Sequence, residues 1–374
     1  MRVLFIILIA AAAAAQSGPR IEVSHTTEAL RGVSALSRQI EWASGTHGTY
    51  LRTVDGGKTW MPAQVPYAST LDFRAVVAFS ADEAFLMSSG PGDQSRIYHT
   101  SDAGQHWQLQ FTNRNPKGFF DSMVFWDFKH GIVLGDPIAD EKGKRHFELL
   151  TTEDGQNWKP ISPDQIPEAK DGEGAFAASN TCVTVSHHGS STDIWFATGG
   201  KVARVFHSPD AGKTWEVYDT PILHGPESAG IFSIAFRDSQ YGVIAGGDYK
   251  RPDDDGPNLA FTEDGGKTWK LSSLHPQAYF SAVAYDEQVN AAAIRQQAEA
   301  PSPKGIGKKL PLTPTAPQRL FIIGPDFIFD FHPPNDPHRI NGKKKEGYAF
   351  NAVSPLPEGG ALVVGPKGTI AFIP

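Results

Sequence analysis

The chain has 374 residues, with 34 Lys and Arg against 41 Asp and Glu, a formal net charge of −7. An acidic molecule repels polyanions at long range, which argues against a dedicated nucleic-acid binder. With 40% hydrophobic and 11% aromatic residues it can bury a large core, which excludes global disorder, and 37 Gly with 28 Pro favour many short strands joined by turns.

In chain order, Met1-Arg2 give a positive start, Val3-Leu4-Phe5-Ile6-Ile7-Leu8-Ile9 an apolar run, and an alanine tract ends at Ala15 before Gln16. This reads as a secretory signal peptide over residues 1–15. The apolar run is too short for a span of about 20 residues. The mature chain is therefore expected to be periplasmic or secreted, with no membrane anchor after cleavage. Cys182 is the single cysteine, so no intramolecular disulfide can form and stability must come from packing.

A repeat organises the rest. Thr53-Val54-Asp55-Gly56-Gly57-Lys58-Thr59-Trp60 recurs as Thr100-Ser101-Asp102-Ala103-Gly104-Gln105-His106-Trp107 and, one residue shorter, as Thr152-Glu153-Asp154-Gly155-Gln156-Asn157-Trp158. It returns at Ser208-Pro209-Asp210-Ala211-Gly212-Lys213-Thr214-Trp215 and at Thr262-Glu263-Asp264-Gly265-Gly266-Lys267-Thr268-Trp269. The copies start 47, 52, 56 and 54 residues apart, the period of a four-stranded propeller blade. Each follows a short apolar run, so it opens a hairpin: hydroxyl and carboxylate satisfy turn N–H groups, Gly takes positive φ, and Trp covers the turn. Asp55, Asp102, Asp154, Asp210 and Asp264 are thus structural.

Alternating strands begin at Leu30, Phe73, Phe120, Phe176, Phe232, Phe280 and Phe350, and each is followed by a second strand ending in Gly45, Gly90, Gly135, Gly199, Gly246, Gly324 or Gly365. Seven of each, at about 51 residues per unit over residues 16–374, predict an all-β single domain, a seven-bladed β-propeller of four-stranded antiparallel blades. The sequence ends on a third strand, Ile370-Ala371-Phe372-Ile373, so Ile21-Glu22-Val23-Ser24-His25 is expected to supply the fourth strand and close the ring.

Blade six carries a Pro- and Lys-rich insert at about residues 287–318, with Pro301, Pro303, Pro311, Pro314 and Pro317, read as a polyproline-type loop. Beyond it, His332-Pro333-Pro334-Asn335-Asp336-Pro337-His338 and Lys343-Lys344-Lys345 read as a solvated basic loop, with a docking site for an acidic partner as the alternative. No metal site is assigned: Asp253-Asp254-Asp255-Gly256 lacks carboxylates where a calcium loop needs them, and His187-His188 and His332/Asp336/His338 read as exposed histidines. No dinucleotide, haem, iron–sulfur or phosphate-loop motif is present, so no cofactor is expected and an oxidoreductase reading has no support.

The boxes match the BNR or Asp-box repeat. Together with Leu71-Asp72-Phe73-Arg74, Gly174-Ala175-Phe176-Ala177-Ala178-Ser179, Gly230-Ile231-Phe232-Ser233-Ile234-Ala235-Phe236 and Gly246-Gly247-Asp248-Tyr249-Lys250, the chain resembles a family of exported bacterial propellers similar to photosystem II stability and assembly factors. Members of that family are often labelled oxidoreductase or glycosyl hydrolase.

In a propeller, loops entering first strands and loops leaving second strands gather around the axis on one face. The residue after each anchoring Phe or Leu marks an equivalent position: Arg31, Arg74, Asp121, Ala177, Ser233, Ser281 and Asn351. Arg31, Arg74, Asp121, Asp136, Glu173 and Asp248 are expected to face one funnel, with Tyr249 and Asn351 beside it. One reading is a monomeric, non-catalytic assembly-factor-like protein whose arginines pair with a carboxylate of a protein or small-molecule ligand. The alternative is a sialidase-like glycoside hydrolase acting on a carbohydrate through Asp121, Glu173 and Asp136.

Overall fold

The computed structural model describes residues 18–188, 191–273, 278–286, 319–325, 327–331, 338–340 and 349–374. The signal segment, the insert at about 287–318, His332, Asp336 and the Lys343-Lys344-Lys345 run lie outside the described residues.

Among the described residues, seven antiparallel sheets form. Their innermost strands are Leu30–Ala35, Asp72–Ala78, Phe120–Phe125, Val183–His188, Ala229–Phe236, Ala282–Tyr285 and Ala352–Pro355. The first comprises Leu30–Ala35, Glu41–Gly45, Thr49–Thr53 and Met61–Gln64, and most others repeat its meander. In the seventh the fourth strand is Arg20–Glu22, paired with Ile370–Ile373 in the register Arg20 to Phe372, Ile21 to Ala371 and Glu22 to Ile370.

Except for Ala229–Phe236, which is also met by Gly199, each innermost strand has one edge with no ladder partner, and its N–H groups there must be satisfied some other way. Small hydroxyl residues of a neighbouring sheet do this. Ala35 N–H donates to Ser354 Oγ (3.0 Å), Ala78 N–H to Ser34 Oγ (3.1 Å) and Val283 N–H to Ser233 Oγ (2.8 Å). The strands neighbour one another in sequence order, and Ala352–Pro355 lies against Leu30–Ala35. Between neighbouring sheets lie seven apolar clusters; one packs Trp42, Phe73 and Leu86 between the first and second sheets, another Leu30, Trp60 and Leu362 between the first and seventh.

The five turns have one hydrogen-bonded design. In the first, Thr53 Oγ1 donates to Asp55 Oδ1 (2.8 Å) and accepts from Gly57 N–H (3.2 Å), while Asp55 Oδ1 accepts from Thr59 N–H (2.9 Å). Thr100/Asp102, Thr152/Asp154, Ser208/Asp210 and Thr262/Asp264 repeat it. Gly104 sits at φ +83 with Tyr50 packed so closely that a Cβ would lie 2.5 Å from its hydroxyl oxygen.

The fourth sheet departs from the expected pattern. Its innermost strand is Val183–His188, not the run Phe176 to Ser179, which forms no strand. Glu173–Gly174 instead pairs with Gly199–Gly200, and Gly199 pairs with Gly230, so the fifth sheet has six strands. Glycine permits this approach: a Cβ on Gly199 would meet Gly230 Cα at 2.7 Å. No helix among the described residues is long and apolar enough to cross a membrane.

Candidate functional site

The site begins with a backbone irregularity shared by four sheets. Pairing of the first two strands skips one residue between Leu30 and Gly32, Phe73 and Ala75, Phe120 and Ser122, and Ile231 and Ser233. The residues left over are Arg31, Arg74, Asp121 and Phe232. A bulge of this kind re-aims one side chain at the end of a strand. In the fifth sheet the equivalent position is therefore Phe232, where the sequence reading had Ser233.

Arg31 and Arg74 share Asp72. Arg74 Nε donates to Asp72 Oδ2 at 2.9 Å, and Arg31 Nε lies 3.9 Å from the same oxygen. Arg31 Nε and Asp72 Oδ1 have no hydrogen-bond partner although both atoms are buried. Burial, and then the neighbouring Arg74 cation, lower the Arg31 pKa from its usual value. Tyr279 lies beside this pair and packs edge-on to Phe232 (4.7 Å, 86°). Tyr249, half exposed, packs edge-on to the same ring.

Asp121 is 1% exposed and its Oδ2 is unpartnered. Burial, reinforced by the nearby Asp136 charge and partly opposed by Arg74, pushes its carboxyl well above the usual carboxylate range. Burial also raises Asp136, against a 3.0 Å hydrogen bond from Ala175 N–H. A cleft of about 580 Å³ adjoins Asp136, bordered by Lys117, Arg145, Phe176 and Glu227.

The remaining expected residues have partners within the protein, and Glu173 borders the same cleft as Asp136. Glu173 is buried against Arg204 and Thr198. Asp248, 3% exposed, accepts from Lys250 N–H (2.9 Å) and Arg251 Nε (3.0 Å). Asn351 Nδ2 donates to Leu30 O (2.7 Å), tying the seventh sheet to the first. Ala177 carries its main chain, not its side chain, into the site: its carbonyl accepts from Arg74 Nη1 (2.7 Å). Sequence reasoning missed Phe232, Tyr279 and the Ala175–Thr181 run as a distinct element. The signal for that element was spacing: Phe176 precedes Phe196 by 20 residues, while corresponding pairs such as Leu30 and Trp42 or Phe120 and Ile132 are 12 apart.

Among the described residues no group of three or more His, Cys, Asp or Glu side chains is placed to hold a metal ion. His187 instead meets the Trp126 carbonyl at 3.2 Å, and Asp254 pairs with Arg251.

Repeated antiparallel sheets, their Asp turns and solved structural neighbours define an all-β propeller. Residues 12–118 match the family model described as photosynthesis system II assembly factor YCF48. The chain is 37% identical over 125 residues to the chloroplast photosystem II stability/assembly factor HCF136 of Oryza sativa subsp. japonica, a match spanning 33% of this chain but only 27% of that protein. It is 23% identical over 299 residues to the photosystem II assembly protein Ycf48 of Thermosynechococcus vestitus, covering 66% of this chain and 72% of the relative. Among solved structures, YCF48 bound to D1 peptide superposes with a TM-score of 0.61 at 16% identity, covering 96% of this chain and 97% of that one. The WD40 propeller domain of Doa1 follows with a TM-score of 0.58 at 9% identity, covering 95% and 96%. This chain is a propeller similar to the photosystem II assembly factors.

Proposed function

We propose that residues 16–374 form one exported, monomeric, seven-bladed propeller, closed by the Arg20–Glu22 strand, that binds an extended segment of a client protein without catalysis. The neighbour order of the innermost strands and the apolar clusters between successive sheets support the ring. The binding face is the one where Arg31, Arg74, Asp72, Phe232, Tyr279 and Tyr249 converge. The observation that carries this reading is two guanidinium groups around one carboxylate: Arg31 and Arg74, with side chains 30% and 26% exposed, share Asp72, near the Phe232–Tyr279 pair whose Phe232 also carries the half-exposed Tyr249. An incoming carboxylate or main-chain carbonyl pairs with the partly exposed guanidinium groups, and an aromatic rim supplies contact area. The similar YCF48, whose structure holds a D1 peptide, lends the class of ligand. Asp121, Asp136 and Glu173 hold main chain or an arginine, so binding accounts for their geometry better than hydrolysis.

The test is capture of clients from a periplasmic extract, followed by titration of peptides from the captured protein. Arg31→Ala and Tyr249→Ala should each weaken binding about tenfold or more. Unchanged affinity in both variants overturns the assignment of this face.

A further inference from the structure

The run Ala175–Thr181 is built as a ligand would be. It lies between the Glu173–Gly174 ladder and Val183–His188, belongs to no sheet, and touches four sheets other than the fourth. From the second sheet Arg74 Nη1 donates to the Ala177 carbonyl (2.7 Å); from the third, Asp136 Oδ1 accepts the Ala175 N–H (3.0 Å) and the Asp121 carboxyl lies close to the Ala177 N–H. Phe176 stacks on Phe232 of the fifth sheet (3.9 Å, 13°), and Ser179 Oγ donates to the Ser281 carbonyl of the sixth (2.8 Å).

Two charged side chains thus read main-chain groups of a tightly turned segment, in which Ala178 N–H donates to the Phe176 carbonyl (2.8 Å), Asn180 sits at φ +63 and residues 175, 177 and 178 are alanine. None of these charged groups reads a side chain. The arrangement also carries a penalty: Asp121 and Asp136 are buried near one another, and Asp121 Oδ2 is left unpartnered. A carboxylate pair placed for structure alone gains little over apolar packing. It does suit the capture and release of a peptide.

We propose that Arg74, Asp121 and Asp136 form a main-chain-reading subsite for a turned peptide segment with small side chains, and that Ala175–Thr181 is a resident occupant that an incoming segment displaces. The biological use rests on the client-binding reading above; the physical claim does not.

Cys182 reports on it. The thiol is fully buried in the same apolar cluster as Ala175, against this run, hereafter the strap, and burial raises its pKa. Maleimide labelling of the wild-type protein, followed against urea, should run at least about tenfold faster in dilute urea than global unfolding allows, with a shallower urea dependence. Arg74→Ala should accelerate it by about tenfold again. In Ala177→Pro, which removes the N–H beside Asp121 and so loosens the run, a synthetic peptide with the sequence of residues 174–181 should protect Cys182, and adding Arg74→Ala should abolish that protection. Labelling that tracks global unfolding at every urea concentration overturns the proposal, whether or not Ala177→Pro folds. So does a peptide that leaves a folded Ala177→Pro unprotected. A client that binds through Arg31 and Tyr249 without speeding Cys182 labelling would leave the client reading standing and remove this one.

Discussion

Arg204 grips Glu173 with two nitrogens, Nε to Oε1 at 3.0 Å and Nη2 to Oε2 at 2.5 Å, and both side chains are almost wholly withdrawn from water. The remaining oxygen capacity is filled by Thr198 Oγ1 (2.7 Å) and Lys170 N–H (2.8 Å), so the carboxylate anchors the loop that leads into the strap. Deleting one member of a buried, fully bonded pair strands the other charge. Arg204→Met is expected to lower stability by about 3–5 kcal/mol in urea unfolding, and Glu173→Gln, which keeps some hydrogen bonds, by less. A loss under 1 kcal/mol for Arg204→Met would show that the pair is not a structural anchor.

The Asp turns make a second, local prediction. Thr100 Oγ1 accepts from Gly104 N–H (3.0 Å) and donates to Asp102 Oδ1 (2.9 Å), and Thr100 is 1% exposed. Thr100→Val keeps the shape and leaves a buried N–H unpaired, so thermal unfolding should report a loss of about 1–3 kcal/mol. Asp102, hydrogen-bonded mainly by His106, has its pKa lowered to about 2. Its contribution is present above its ordinary value near 3.8 and fades as pH falls toward 2.

Glu41 predicts the opposite slope near neutrality. It is 3% exposed, its Oε2 lacks a partner, and burial together with the Glu22 charge raises its pKa to about 8. The folded state therefore keeps a proton that the unfolded chain gives up near 4.5, and stability should fall as pH rises from 4.5 to 8. The full effect is about 5 kcal/mol at most. Glu41→Gln should flatten that slope in chemical denaturation between pH 5 and about 8; an unchanged slope would assign it to other groups.

The pairing of Arg20–Glu22 with Ile370–Ile373 is reinforced by Trp60 Nε1, which donates to Glu22 Oε2 at 2.8 Å. A chain beginning at Val23 loses the three register pairs and uncovers a strand edge. It should melt at lower temperature and elute earlier with increasing concentration in size-exclusion chromatography. An unchanged melting point would show that this seam carries little stability.

How much of this could be read from the residues depends on distance along the chain. Thr53-x-Asp55-x-Gly57 closes its hydrogen bonds within a few residues, so its role was plain. The strand starts at Leu30, Phe73 and Phe120 were equally legible because alternation and spacing repeat. Phe232 was not, since a one-residue bulge decides whether it or Ser233 occupies the site, and bulges follow from pairing with Gly246 and Ala245. Glu173 looked like a candidate acid because nothing near it in sequence announces Arg204, 31 residues on. The strap was hidden for the same reason: its partners Arg74, Asp121, Ser233 and Ser281 come from far along the chain.

The register at the seam has a mechanical consequence. Arg20 faces Phe372 and Glu22 faces Ile370, so the chain before Arg20 and the chain after Phe372 depart from the same end of a short antiparallel ladder. Tension applied through the two tails would peel the pairs apart one after another instead of shearing them together. Under a pulling force the molecule should yield at this joint first, long before the inner strands bear load.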